Sequence, residues 1–201
     1  MDDITIKTYE ELAGDYDRET AGFWDEFPES FVGDFCRSFG GPAQVLNVGS
    51  GPGRDGSLLY AAGLNVICLD ASKKMVEMSK ERGLLSVHGD FMHLPFAAES
   101  FDGAWAYTAL LHVKKAEFRQ AVQELARVIK QGGTLALGMI EGEGEGYRKS
   151  SGVSLPRLFS YYWSEELSHL LVRAGFEVVK IEKFKPGGKY TYLNLLARKV
   201  S

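Results

Sequence analysis

Three glycines at alternate positions, Gly49, Gly51 and Gly53, interrupt a short apolar run in VLNVGSGPGRD (45–55). Such a loop brings backbone close to a ligand, because no Cβ stands in the way. Three ligand classes suit it: a nucleotide phosphate, a dinucleotide, or an adenosyl group without a pyrophosphate. A phosphate loop needs Lys followed by Ser or Thr after its last glycine, and here Arg54 and Asp55 follow Gly53, which removes that class. Gly51-x-Gly53-x-x-Gly56 matches a dinucleotide loop, although Gly49 already ends the apolar run two residues before it. Asp70 closes the next apolar run, where a carboxylate accepts hydrogen bonds from two ribose hydroxyls.

The elements that must position these residues alternate along the chain. Apolar runs predict strands at 44–48, 65–69, 85–88, 101–107 and 134–140. Helices are expected at 54–62, at 72–82 opened by Ser72, and at 114–130, where Phe118, Ala121, Val122, Leu125, Val128 and Ile129 share a face and QGG ends the helix. EGEGEGYRKSSG (141–152) reads as a flexible polar loop, and 164–174 as a helix capped by Ser164 and stopped by Gly175. FEVVKIEKF and YTYLNLLARKV, joined at KPGGK, make an antiparallel hairpin. Ahead of all this, Tyr9, Leu12, Ala13 and Tyr16, then Phe31, Val32, Phe35, Cys36 and Phe39, fall at helical spacing, with Tyr9 expected in a core stripe. The expected fold is α/β: a Rossmann-like, doubly wound, mostly parallel seven-stranded sheet with an antiparallel C-terminal hairpin strand and helices on both faces. One domain is expected over 1–201, made of a helical cover (1–42), a cofactor-binding core (43–140), and a substrate loop, helix and hairpin (141–201).

Composition narrows the partners. With 201 residues, 45% hydrophobic and 25% charged, the chain has enough apolar material for one sizeable core. Its net charge of −4 and lack of a basic cluster argue against nucleic acid as principal partner. MDDITIKTYEELAGDYD is acidic where a signal peptide is basic, and no apolar run is long enough to span a bilayer, so a cytoplasmic protein without a membrane partner is expected. Cys36 and Cys68 stand alone and read as core residues, and no metal site is expected.

VLNVGSGPGRD, LD (69–70), GDFMHLPFAAESFDGAW (89–105), LLHV (110–113) and LARVIKQGGTLALG (125–138) resemble, in order and spacing, the successive motifs of class I S-adenosylmethionine-dependent methyltransferases, in the single-domain branch that acts on small molecules. The resemblance spans 43–140, with weaker agreement over 161–178. It implies S-adenosylmethionine as cofactor and S-adenosylhomocysteine as product. Gly49, Ser50, Gly51 and Gly53 would line the methionine part, and Asp70 would hold the ribose. Ala71 and Met75 would pack on adenine, whose amino edge would be read at Gly89, Asp90 and the backbone of Phe91. Tyr107 and Thr108 would flank the sulfur. Relatives carry an acid at the place of Asn47, which would bond loop amides or the methionine amine, so the uncharged Asn47 implies weaker cofactor binding and a gain on Asn47→Asp.

Two residues are catalytic candidates. His112, just past the fourth strand, would accept a proton from an acceptor hydroxyl or amine, and Tyr16 resembles a tyrosine near the donor's carboxylate or methyl. Glu141, Arg157, Tyr161 and Tyr162 would shape the acceptor pocket, the arginine suiting an anionic or aromatic group. Asp102, at a strand start, is expected to be structural. The segment AYTALLH lacks the Asp/Asn-Pro-Pro-aromatic motif of amide- and adenine-methylating relatives, and two scattered cysteines do not suit metalloid methylation. The expectation is therefore methyl transfer by in-line displacement to oxygen or nitrogen of a small-molecule acceptor. An NAD(P)-dependent oxidoreductase and a catalytically silent cofactor-binding subunit remain alternatives. These motifs set neither the acceptor nor the oligomeric state.

Overall fold

In the computed structural model, which describes residues 2–188 and 190–200, the apolar runs of the sequence become strands of one sheet. These are β1 (Gln44–Val48), β2 (Asn65–Asp70), β3 (Leu85–His88), β4 (Phe101–Tyr107), β5 (Ile129–Ile140), β8 (Phe176–Phe184) and β9 (Tyr192–Lys199). Their order is β3-β2-β1-β4-β5-β9-β8, parallel from β3 to β5, with β9 antiparallel to both neighbours. Between β9 and β8 the chain passes KPGGK, of which Lys189 lies outside the described residues.

Central strands are apolar on both faces because both faces are covered. Leu46, Val48, Ala104, Ala106, Leu135 and Leu137 meet Phe118, Val122 and Leu125 of α6 (Phe118–Val128) and Leu167 and Leu171 of α7 (Ser164–Arg173). The alternate residues Val45, Trp105, Tyr107 and Ala136 meet Phe27, then Phe31 and Phe35 of α3 (Glu29–Arg37). Phe31, Phe35 and Phe118 are fully buried, and each such side chain contributes about 1.5–3 kcal/mol. α4 (Arg54–Ala61) and α5 (Lys73–Glu81) follow β1 and β2, and Ser72 caps α5 by accepting from the Met75 N–H.

Four boundaries differ from the sequence expectation. The helix expected at 114–130 is shorter, since 115–117 form a 3-10 turn and the chain becomes extended at Ile129. QGG lies inside β5, where the register steps from Phe101 opposite Ile129 to Gly103 opposite Thr134; Gly132, at φ 77°, supplies the left-handed residue this bulge requires. The polar loop after β5 contains β6 (Glu145–Arg148), paired antiparallel with β7 (Arg157–Ser160). Its sequence EGYR carries no apolar alternation, so nothing local announces the strand. Trp163 occupies the cap of α7, while the Ser164 hydroxyl donates to Glu165 instead.

The N-terminal helices α1 (Asp3–Glu11) and α2 (Ala13–Asp25) lie across the carboxyl ends of the strands and are tied to both sides. Thr8 donates to the Pro156 carbonyl at 2.7 Å, and Thr5 accepts from the Leu158 N–H at 2.8 Å. On the other side, Ser72 donates to Glu10 at 2.7 Å, and Asp17 accepts from Arg54 at 2.7 Å and Arg82 at 2.9 Å. Asp102, at the start of β4, accepts from the Gln44 N–H and from Lys130.

Candidate functional site

Strand order reverses between β1 and β4, and open α/β sheets bind ligands beyond the strand ends at that point. A cleft opens there, lined by Gly49, Gly51, Asp70, Ala71, Met75, Phe91, Thr108, Ala109 and His112, and roofed by Tyr9 and Tyr16. Gly49 has φ 63°, and a Cβ on it would stand 2.5 Å from that of Ala109, so only glycine lets β1 leave the sheet this close to the chain after β4.

Asp70 organises the cleft floor. One carboxylate oxygen accepts the Gly51 N–H at 2.8 Å and the other the Ser72 N–H at 2.8 Å. Each oxygen keeps a lone pair for a further donor. Burial lifts its carboxyl to about 6, against the pull of those N–H groups. Two acceptor oxygens beside the apolar shelf of Ala71, Met75 and Phe91 suit a ribose diol with its base. Gly89 lies behind, where a Cβ would meet Leu69 at 3.0 Å, and Asp90 secures the turn before Phe91 by accepting the Met92 N–H. Neither lines the cleft; the direct wall at that end is Phe91.

A narrow extension continues under the glycine loop, lined by Ser50, Gly51, Pro52, Asp55, Tyr107 and Thr108 with Tyr16, Thr20 and Trp24 above. Gly53 is not part of it: a Cβ there would meet Ser79 and Leu84, so this glycine serves helix packing. The structure corrects the expectation for Asn47. It is fully buried behind the loop, donating to Asp55 at 2.9 Å, and does not line the cleft. The acid that reaches the extension is Asp55, whose carboxyl burial raises to about 7, with the Asn47 and Gly56 donors opposing. Sequence reading missed it, although an acidic residue in the first turn of the helix after the glycines was a usable signal. Tyr107 touches the extension, while its hydroxyl is turned away to Asn194 at 2.7 Å.

Thr108 sits at φ 53°, a conformation that β-branched residues rarely adopt. Its N–H donates to the Gly138 carbonyl at 2.9 Å, which holds the strained residue at the cleft wall.

A second, outer chamber of about 930 Å³ adjoins the cleft, and Tyr9, Tyr16, Thr108 and His112 line both. Its remaining wall includes Phe23, Trp24, Arg157, Phe159, Tyr190 and Tyr192. The structure corrects the reading of His112 as a free base. Its Nδ1 lies 2.5 Å from the Leu158 carbonyl, an acceptor only, so this nitrogen carries the proton. Nε2 therefore accepts the hydroxyl of Tyr9 at 2.7 Å. Burial lowers the imidazole to about 4, so it stays neutral. The hydroxyl of this pair that faces the chamber is that of Tyr9, with Arg157 beside it.

Three expected pocket residues lie elsewhere. Tyr162 is 1% exposed, packed on Phe118 beneath Lys115, because its side chain anchors the start of α7 to α6. Glu141 forms an ion pair with Lys183 of β8, which draws it off the chamber. Tyr161 stacks behind Phe159 and Tyr190, which are the lining residues there. Among the described residues no group of three His, Cys, Asp or Glu converges as a metal site would, and no helix is long and apolar enough to cross a membrane.

Comparison with known proteins agrees with this geometry. Residues 46–137 match a family described as a methyltransferase domain. The chain is 35% identical over 103 residues to methyltransferase GfsG of Streptomyces halstedii, covering 47% of this chain and 36% of that protein. It is 30% identical over 128 residues to tRNA (carboxymethyluridine(34)-5-O)-methyltransferase alkbh8 of Xenopus tropicalis, covering 63% and 19%. The chain thus spans well under two thirds of these relatives. In fold it is similar to a Burkholderia thailandensis 1,6-didemethyltoxoflavin-N1-methyltransferase, solved with that substrate and S-adenosylhomocysteine, with a TM-score of 0.77 at 21% identity over 98% of this chain and 88% of that one. Residues 46–137, from β1 into β5, thus resemble a methyltransferase domain, and the reversal of strand order beneath a glycine loop backed by Asp70 belongs to a fold shared with S-adenosylmethionine-dependent methyltransferases.

Proposed function

We propose that this protein transfers a methyl group from S-adenosylmethionine to an oxygen or nitrogen atom of a small-molecule acceptor. The observation that carries the reading is the shared wall: Tyr9, Tyr16, Thr108 and His112 belong at once to the inner cleft over Asp70 and to the outer chamber, so two ligands would meet there. S-adenosylmethionine would supply an electrophilic methyl: the C–S bonding pair would stay on sulfur as the acceptor's lone pair bonds to carbon, and the acceptor's proton would leave to solvent through the open side of the outer chamber.

The residues of the chain do the positioning. Asp70 takes the ribose hydroxyls, Ala71, Met75 and Phe91 hold the adenine, and Asp55 faces the methionine amine. An ammonium beside Asp55 favours the ionised carboxylate that burial otherwise opposes. Tyr9, its own proton committed to His112, accepts the hydrogen of the acceptor O–H or N–H and aims the nucleophile's lone pair down the line of displacement. His112 acts through Tyr9 and is a positioning residue. Helices α1 and α2 close over the cleft and exclude water that would compete for the methyl group.

A chamber walled by aromatic side chains in a chain of net charge −4 favours a small acceptor over a nucleic acid. Release of S-adenosylhomocysteine, measured with a panel of small acids, phenols and amines, tests the reading. Turnover of at least one class is expected, and transfer only to RNA would refute the small-molecule assignment.

A further inference from the structure

Arg157, on β7, is a buried cation whose donors are filled only in part, by the Ser150 hydroxyl and the neighbouring Tyr9 hydroxyl. Its side chain is 6% exposed; Nη2 donates to the Ser150 hydroxyl at 2.8 Å, and Nε has no partner. Among the described residues the carboxylate that approaches it is Glu19, at 4.0 Å, beyond hydrogen-bond reach. The Glu19 oxygens are instead held by the Ser150 hydroxyl at 2.8 Å and the Gly152 N–H at 3.3 Å. A buried guanidinium is costly unless its fork is filled by an anion.

Its surroundings select the kind of anion. Arg157 lines the outer chamber beside Phe23, Trp24 and Phe159, so the molecule that reaches it lies along aromatic walls. The rings of Tyr9, Tyr16 and Phe159 lie 5.7, 6.0 and 5.4 Å from the guanidinium carbon. These π faces already serve a cation, and a cationic amine in the chamber would meet like charge. Glu19 offsets part of the positive charge at the seat, while Arg148 and Lys149 also line the chamber, so its charge favours an anion.

We propose that Arg157 seats a carboxylate carried by the methyl acceptor, and that the acceptor is an aromatic carboxylic acid. The guanidinium edge that lines the chamber offers its remaining N–H groups to the carboxylate oxygens, a planar match that lysine lacks. The ring lies along the aromatic wall, and a hydroxyl or amino group at its far end reaches Tyr9. The reacting end of this picture rests on the methyltransferase reading; the seat does not.

The test compares matched ligands: 4-hydroxybenzoate against 4-hydroxybenzamide, indole-3-acetate against indole-3-acetamide, and 4-hydroxyphenyl phosphate as a dianion. Binding is measured by calorimetry with and without S-adenosylhomocysteine, on the wild-type protein, Arg157→Gln and Arg157→Lys. At least one acid is expected to bind the wild type about 30-fold more tightly than its amide. The glutamine variant should bind both alike, and the lysine variant should fall between. Acids no tighter than their amides throughout, or an acid preference surviving Arg157→Gln, would overturn the seat, and a phosphate bound more tightly than any carboxylate would overturn the carboxylate assignment. Unchanged S-adenosylhomocysteine affinity in the variants shows an intact fold, and the wild-type acid and amide comparison stands without any variant. An acid preference in a protein that binds no S-adenosylhomocysteine would sink the methyltransferase reading and leave the seat standing.

Discussion

The hydroxyl of Tyr9 lies 2.7 Å from Nε2 of His112, a contact that joins the first helix to the segment after β4 across 103 positions of sequence. His112 is fixed from behind by the Leu158 carbonyl, so the phenol proton has one direction to point. Tyr9 is thereby fixed at the chamber wall, with Arg157 beside its hydroxyl.

Tyr9→Phe and His112→Phe should therefore each lower kcat by about 10- to 100-fold, and the double variant should be no worse than either. Steady-state kinetics check this, with S-adenosylmethionine affinity expected to change little. Because burial holds the imidazole to about 4, kcat should stay flat between pH 6 and 9. A limb near the ordinary histidine value would show His112 acting as a free base.

Asp70 gives a pH dependence of the opposite origin. Its carboxyl is raised to about 6, and the cofactor hydroxyls bind the ionised form. Protons compete for that form below the raised value, so affinity should fall about tenfold per pH unit beneath it and level off above. Asp70→Asn should bind about 10- to 100-fold more weakly at neutral pH and lose this dependence. Calorimetric titrations with S-adenosylhomocysteine from pH 5 to 8 read both effects.

Asn47→Asp should destabilise the protein rather than tighten cofactor binding. The substitution places a second carboxylate against Asp55 in a fully buried site, at a cost of about 3 kcal/mol. That corresponds to a Tm lower by about 6–12 °C for a chain of this size. Asp55 already titrates at about 7, above its unfolded value, so its folded form favours the proton and loses stability as pH rises toward that value. A second acid strengthens this trend. The loss should be greatest at pH 8 and smallest near pH 5, as thermal denaturation at the two pH values would show.

Thr108→Gly relieves a left-handed φ of 53° on a β-branched residue. Stability should rise by about 1 kcal/mol while kcat falls, because the wall between the two cavities loses its side chain. Differential scanning calorimetry beside the turnover assay separates the two effects.

Sequence made the sheet legible wherever burial was two-sided. QVLNV and FDGAWAY read as strands because both faces are covered, and Ser72 announced its helix by a local hydrogen bond. β6 was hidden, since EGYR gains its order from pairing with RLFS, a contact no local pattern encodes. The same limit explains the site. Gly49 and Gly51 lie within the loop they build, and Asp70 was legible because it closes its own apolar run, 19 residues after Gly51. Tyr9 looked like part of a helical stripe because its partner His112 is distant, and Asn47 looked like a ligand because its partner Asp55, eight residues on, is brought to it only by the turn into α4.

Calorimetric titration of the wild-type protein with S-adenosylhomocysteine, and in parallel with NAD and NADP, is the most direct measurement. Saturable binding of one S-adenosylhomocysteine per chain is expected, abolished or strongly weakened by Asp70→Asn, with no heat from either dinucleotide. Binding of NAD or NADP with none of S-adenosylhomocysteine would contradict the proposed function.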